Sequence, residues 1–254
     1  MDKSTISGIS LAVFGLIAGF LVQEHFNFNL LLFLFQPAAL LIVFVGTIGA
    51  VIASFPLSEI VKVPSLFKMV LTEKLYDEVE IVNDIAELSK KLKKDGLLGL
   101  EYDSNSNPNP LVRKGLTLII YDVEPENIKE TLEREISLRE TLYENGEKIF
   151  HSAGGFAPTM GVIGTIMGMA GVLKGISDIN SIGSSVSTAF ISTLYGVCSA
   201  NILWIPFANK IKFRLEKESR INHMILEGIL SIKHGNNSKI IREKLNLPLL
   251  ERMR

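Results

Sequence analysis

SAGGFAPTMGVIGTIMGMAGVLKGI, residues 152–176, carries one charge, Lys174, and places glycines at 161, 164, 168, 171 and 175. A hydrocarbon core of roughly 30 Å takes about 20 helical residues to cross, so a stretch of this length and polarity reads as a transmembrane helix. The next long apolar run, SSVSTAFISTLYGVCSANILWIPFA at 184–208, has no charge at all. Working outward, Thr5–Val22 and Leu30–Ala53 also qualify, which gives four spans. The first follows only Lys3, as a signal peptide would. No small-x-small cleavage site follows Phe20, so it is read as a retained span.

The remaining charge is concentrated in two blocks, thirteen Lys and Arg from Lys62 to Lys148 and eleven from Lys210 to Arg254. The links Gln23–Asn29 and Ser177–Gly183 carry neither, so the positive-inside rule puts them outside and both termini in the cytoplasm. The chain then divides into residues 1–53 (spans one and two), 54–150 (a cytoplasmic insertion), 151–209 (spans three and four) and 210–254 (a basic cytoplasmic tail). Between Glu59 and Lys148 nineteen acids face thirteen bases, whereas the tail has five acids and eleven bases, so the two parts can attract. A basic segment after a span also simply obeys topology and meets anionic headgroups. Cys198, the one cysteine, lies inside span four and excludes a disulfide scaffold.

The insertion reads as helical. Ile81, Ile85, Leu88 and Leu92 make one apolar stripe, Gly96 stops or bends that helix, and the Asn, Ser and Pro run from Asp103 to Pro110 predicts a loop. Pro125 suits a first helical position, and Ile128, Leu132 and Ile136 continue at helical spacing towards span three. No strand-like alternation runs beyond a few residues. The fold class expected is all-α, an integral membrane protein with four transmembrane helices and a large helical insertion between spans two and three.

The glycines of span three, spaced three, four, three and four, form one seam. In hydrocarbon such a seam allows close helix approach, either to another span of the chain or to a partner helix, and five in register favour the partner. Thr165 lies on the seam with Pro158, and Ala189, Thr193, Gly196 and Ala200 make a similar small-residue face on span four. Threonine hydroxyls often bond back to their own helix. Two on adjacent spans can instead replace part of a small cation's hydration shell. Pro206 removes a helix hydrogen bond near the end of span four and predicts a kink or hinge there, although membrane helices also tolerate proline for shape alone.

No Asp or Glu lies between His25 and Ser58, Lys148 and Ser177, or Ile179 and Leu215. Ion-translocating proteins keep an ionisable group inside the membrane, so ion conduction here requires a partner that brings the carboxylate. No hydrolase motif, phosphate loop, metal-ligand spacing or cofactor signature is present. The chain is expected not to be an enzyme, and neither metal nor nucleic acid is expected to bind.

The run from Ala157 to Gly168, the run Ser192-Thr193-Leu194-Tyr195-Gly196 and the run from Ile205 to Lys210 resemble spans three and four of the MotA/PomA family of flagellar motor stator subunits. The two-plus-two layout and the large insertion extend the resemblance over essentially the whole chain. It implies a bacterial inner-membrane homopentamer around two copies of a MotB-like partner whose single span carries the ion-binding Asp. It implies that Pro158 and Pro206 couple cation flow to movement and that the insertion pushes on the rotor protein FliG. From their small-residue faces, Gly161, Gly164, Gly168, Gly171, Gly175 and Gly196 are expected to pack on the partner. The family's rotor-contacting segment is matched by Gly96-Leu97-Leu98-Gly99-Leu100-Glu101, with Lys93 as its basic residue and Lys90, Lys91, Lys94 and Asp95 enlarging the patch. Thr165 and Thr193 resemble the sodium-type pattern, which makes Na+ the expected cation and H+ the alternative. An ExbB or TolQ type of energiser, expected to have three spans, and an autonomous four-span transporter are the competing readings.

Overall fold

The computed structural model describes residues 3–72, 76–174 and 179–251. Among these, regular structure is entirely helical: α1 (Lys3–Gln23), a 3₁₀ segment (Phe28–Leu34), α2 (Pro37–Leu40), a π turn (Leu41–Val45), α3 (Gly46–Ser54), α4 (Leu57–Ile60), α5 (Val63–Thr72), α6 (Glu78–Asp95), α7 (Leu98–Ser106), α8 (Pro110–Ile120), α9 (Pro125–Lys174), α10 (Ile179–Ser199), a second π turn (Ala200–Trp204), α11 (Ile205–Lys233) and α12 (Ser238–Glu251). Among the described residues, four helical stretches are long and apolar enough to cross a membrane, Ser4–Gln23, Leu31–Ser54, Pro125–Lys174 and Ile182–Lys233. Span three is therefore the end of a helix of 50 residues that starts at Pro125.

The chain forms two compact units, residues 1–73 with 143–212 and residues 74–142 with 213–254. These limits differ from the insertion and tail read at 54–150 and 210–254, because residues on either side of the insertion belong with the spans. Leu66 is buried with its Cδ1 in the space beside Gly146, and Phe67 stacks on Phe207 at a centroid distance of 4.5 Å. In the spans the apolar side chains Leu11, Phe14, Ile17, Leu41, Ile166 and Phe190 are exposed, as a lipid-facing surface requires.

The second unit has a water-type core: Ile81, Ile85 and Leu88 of α6, Leu111 and Leu116 of α8, Ile128, Leu132 and Ile136 of α9, Ile225 and Ile229 of α11, and Ile241 and Leu245 of α12. The tail and the insertion thus share one apolar interior, and opposite charges close over it in the pairs Arg220–Glu78, Arg242–Glu87 and Lys233–Asp122. Two glycines set the spacing. A Cβ on Gly115 would stand 2.7 Å from Ile229, and one on Gly228 would stand 2.6 Å from Ile85.

The loop expected from Asp103 to Pro110 is shorter than that. Helix α7 continues to Ser106 because Ser104, Asn105 and Ser106 bond back to carbonyls three or four residues earlier, which suits polar side chains to a helix end. The break is confined to residues 107–109. Asn107 Oδ1 accepts from Asn109 N at 2.9 Å, and Asn109 Oδ1 caps α8 by accepting from Leu111 N at 2.9 Å, with Pro110 opening the helix.

Candidate functional site

The glycine seam of span three closes on span four of the same chain. A Cβ built on Gly161 would stand 2.9 Å from Ser192 O, on Gly168 2.7 Å from Ser185 O and Ala189 Cβ, on Gly171 2.7 Å from Ser185 Oγ, and on Gly164 in overlap with the Ser192 side chain. From the other side, a Cβ on Gly196 would stand 2.6 Å from Ala157 O. At Gly161, Gly164, Gly168, Gly171 and Gly196 the close approach that small residues permit is thus used within the chain. Gly175 lies outside the described residues. The faces left open carry side chains instead, Val162, Ile166 and Met169 on α9 and Phe190, Leu194 and Val197 on α10.

That contact brings Thr165 and Thr193 together. Their hydroxyl oxygens are 2.5 Å apart, and Thr165 Oγ1 also lies 3.0 Å from Ala189 O and 3.2 Å from Gly161 O. Each hydroxyl has one proton, so when Thr165 donates to a carbonyl, Thr193 is the donor to Thr165. Four oxygens, none of them a carboxylate, converge at a half-buried point between the helices.

Span two, expected as one helix from Leu30 to Ala53, is broken. Its first part is 3₁₀, Gln36 is extended, and α-helix begins at Pro37, whose ring has no N–H to offer the preceding turn. Inside a membrane the freed backbone groups need partners from the protein. Tyr195 of span four supplies them: its hydroxyl donates to Leu34 O and accepts from Gln36 N at 3.3 Å. Gln36 Nε2 donates to Ser187 Oγ at 3.1 Å. Tyr195 and Gln36 were missed as positioning residues. The proline and the lone Gln in an apolar run were the available signals, but their partners are about 150 residues away.

Pro158 sits inside the unbroken α9. Pro206 stands in the first turn of α11, just after the π turn Ala200–Trp204, so the helical ladder changes register next to the position where a kink or hinge was expected. The wider turn accommodates the ring, and Asn201 Nδ2 donates to Val197 O at 2.9 Å, adding a side-chain partner where the ladder changes register.

Residues 103–224 match the family model described as the MotA/TolQ/ExbB proton channel family. Motility protein A of Bacillus subtilis is 34% identical over 257 residues, covering 100% of this chain and 94% of its own length. The structure of the flagellar MotAB stator complex from Bacillus subtilis superposes with a TM-score of 0.87 at 32% identity, covering 99% of this chain and 98% of that one. The C. jejuni MotAB structure gives a TM-score of 0.88 at 25% identity over 97% and 95%. The chain belongs to the MotA/PomA family of flagellar motor stator subunits.

The charged segment around Gly96 divides into residues held in ion pairs and residues that are not. Lys90 pairs with Glu87 at 2.5 Å; that bond holds the Glu87 carboxyl below its usual range, assisted by the charges of Lys90, Arg242 and Lys91. Lys91 pairs with Asp103 at 2.7 Å and ties α6 to α7. Lys93, Lys94 and Glu101 form no ion pair among the described residues, and Gly96, at φ +68°, makes the turn between the helices. Lys93 and Lys94 also end α6, where cations meet the helix C-terminus favourably.

Proposed function

We propose that this stator subunit acts as one of five copies around a dimer of a MotB-like single-span partner, in the bacterial inner membrane, with both termini in the cytoplasm. Na+ passing along the partner's Asp and the Thr165–Thr193 pair drives rotation, with Pro158 and Pro206 as the coupling points, and Lys93, Lys94 and Glu101 deliver the motion to the rotor protein FliG. The observation that carries the reading is the meeting of two hydroxyls with Ala189 O and Gly161 O on spans that hold no acid. Oxygens of this kind suit a hard cation, and the titratable group has to come from outside the chain. The uncovered faces of α9 and α10 offer the partner helix an apolar wall. No catalytic chemistry is assigned to the chain.

Vesicles holding the chain with its single-span partner are expected to take up Na+, and vesicles holding the chain alone are not. Thr165→Ala should slow Na+ uptake by about tenfold, the equivalent of about 1.4 kcal/mol in the ion's path. Equal uptake by the chain alone would remove the partner from the scheme. Full-rate proton uptake and normal swimming in sodium-free medium would replace Na+ by H+.

The rotor reading is tested separately by charge reversal. Lys93→Glu and Glu101→Lys are expected to reduce torque in a tethered-cell assay while the protein stays in the membrane at normal abundance. Lys91→Glu should instead lower stability, since it puts like charge against Asp103. Normal torque in both reversal variants would remove those charges from the contact.

A further inference from the structure

The turn at Gly96 presents more than charge. Leu98 is 81% exposed and Tyr102 78%, and Leu97 beside them is 45% exposed. Leu98 and Tyr102 stand one helical turn apart on α7, so their side chains lie on one face. Single exposed apolar side chains are ordinary, but a contiguous group rimmed by charge marks an interaction site.

The element that carries them is fixed on its other side. Leu100 is fully buried in the core of the second unit. A Cβ on Gly99 would stand 2.8 Å from Asp95 Cβ and 3.1 Å from Lys91 O, so α7 is seated directly on the end of α6. The Lys91–Asp103 ion pair closes the same contact. A short helix pinned by a buried leucine, a glycine contact and an ion pair holds its outer face in one place, which lowers the ordering cost of binding.

We propose that Leu98 and Tyr102 are the apolar anchors of the rotor contact, seated in an apolar hollow of the rotor protein that presents acid towards Lys93 and Lys94 and base towards Glu101. This rests on the rotor reading above and adds to it a division of labour. Lys93 and Lys94 in the last turn of α6 and Glu101 in the first turn of α7, none of them in an ion pair among the described residues, set orientation, encounter rate and salt dependence. Desolvation of the leucine and the tyrosine ring supplies most of the affinity, as central aromatic and aliphatic anchors do in other interfaces.

The test uses the whole chain with its single-span partner in nanodiscs and purified rotor protein, with affinity measured across a salt series. Leu98→Ser with Tyr102→Ser is expected to weaken binding about 30-fold, or about 2 kcal/mol, at every salt concentration and leave the salt slope unchanged. Lys93→Gln with Glu101→Gln is expected to flatten the slope with a smaller loss. An affinity for the serine variant within about threefold of the parent overturns the proposal while leaving the rotor reading in place. Absence of binding by the parent complex overturns both. A fall in the native mass of the serine variant, with its melting temperature unchanged, would assign the patch to contact between copies of this chain and overturn the proposal.

Discussion

Gly168→Val is expected to abolish swimming and to reduce the amount of folded chain in the membrane. Its Cβ would stand 2.7 Å from both Ala189 Cβ and Ser185 O. The second of these is backbone, so the conflict cannot be relieved by a rotamer change and the two spans have to move apart. Overpacking of this kind costs about 1–3 kcal/mol, and the separation also takes Thr193 away from Thr165. The measurement is thermal unfolding of the purified complex in detergent beside a soft-agar motility assay. Gly15→Ala is the matching control, because nothing lies within 4 Å of its new methyl, and its stability should stay within about 0.5 kcal/mol of the parent. A Gly168→Val protein that melts and swims like the parent would mean that α9 and α10 do not meet at Gly168.

Tyr195→Phe keeps the ring and removes one oxygen, yet a large loss of stability is expected. The hydroxyl is the partner of both Leu34 O and Gln36 N at the break in span two. Without it, each group left unpaired away from water costs about 1–3 kcal/mol, and lipid offers no substitute. Hydrogen exchange at the Gln36 amide should accelerate, and the melting temperature of the complex should fall. The companion change Gln36→Leu removes only the side-chain bond to Ser187 and should cost less. Unchanged exchange at Gln36 in the Tyr195→Phe protein would show that another group satisfies the break.

Both results concern contacts between positions far apart in the chain, and that separates what was legible from what was not. The stripes Ile81–Ile85–Leu88 and Ile128–Leu132–Ile136 were read from spacing and are buried in one core. The helix start at Pro125 and the turn at Gly96 follow from local backbone chemistry and stand where expected. The loop from Asp103 was over-extended because Asn and Ser were counted as breakers, while here they bond to the helix they end. The pairing of Lys90 with Glu87 lay within one helix turn, whereas that of Lys91 with Asp103 needed the fold of α7 against α6.

From its one-dimensional pattern alone, the chain specifies four spans, an all-helical build, spans without acid and a line of glycines in register, because hydropathy and periodicity are properties of neighbours along a chain. Which helix fills that line, which two hydroxyls meet, and which tyrosine repairs the proline break were decided only by the tertiary structure. Those outcomes depend on the distance between side chains tens to hundreds of residues apart, and a helical wheel describes a face without saying what is packed against it.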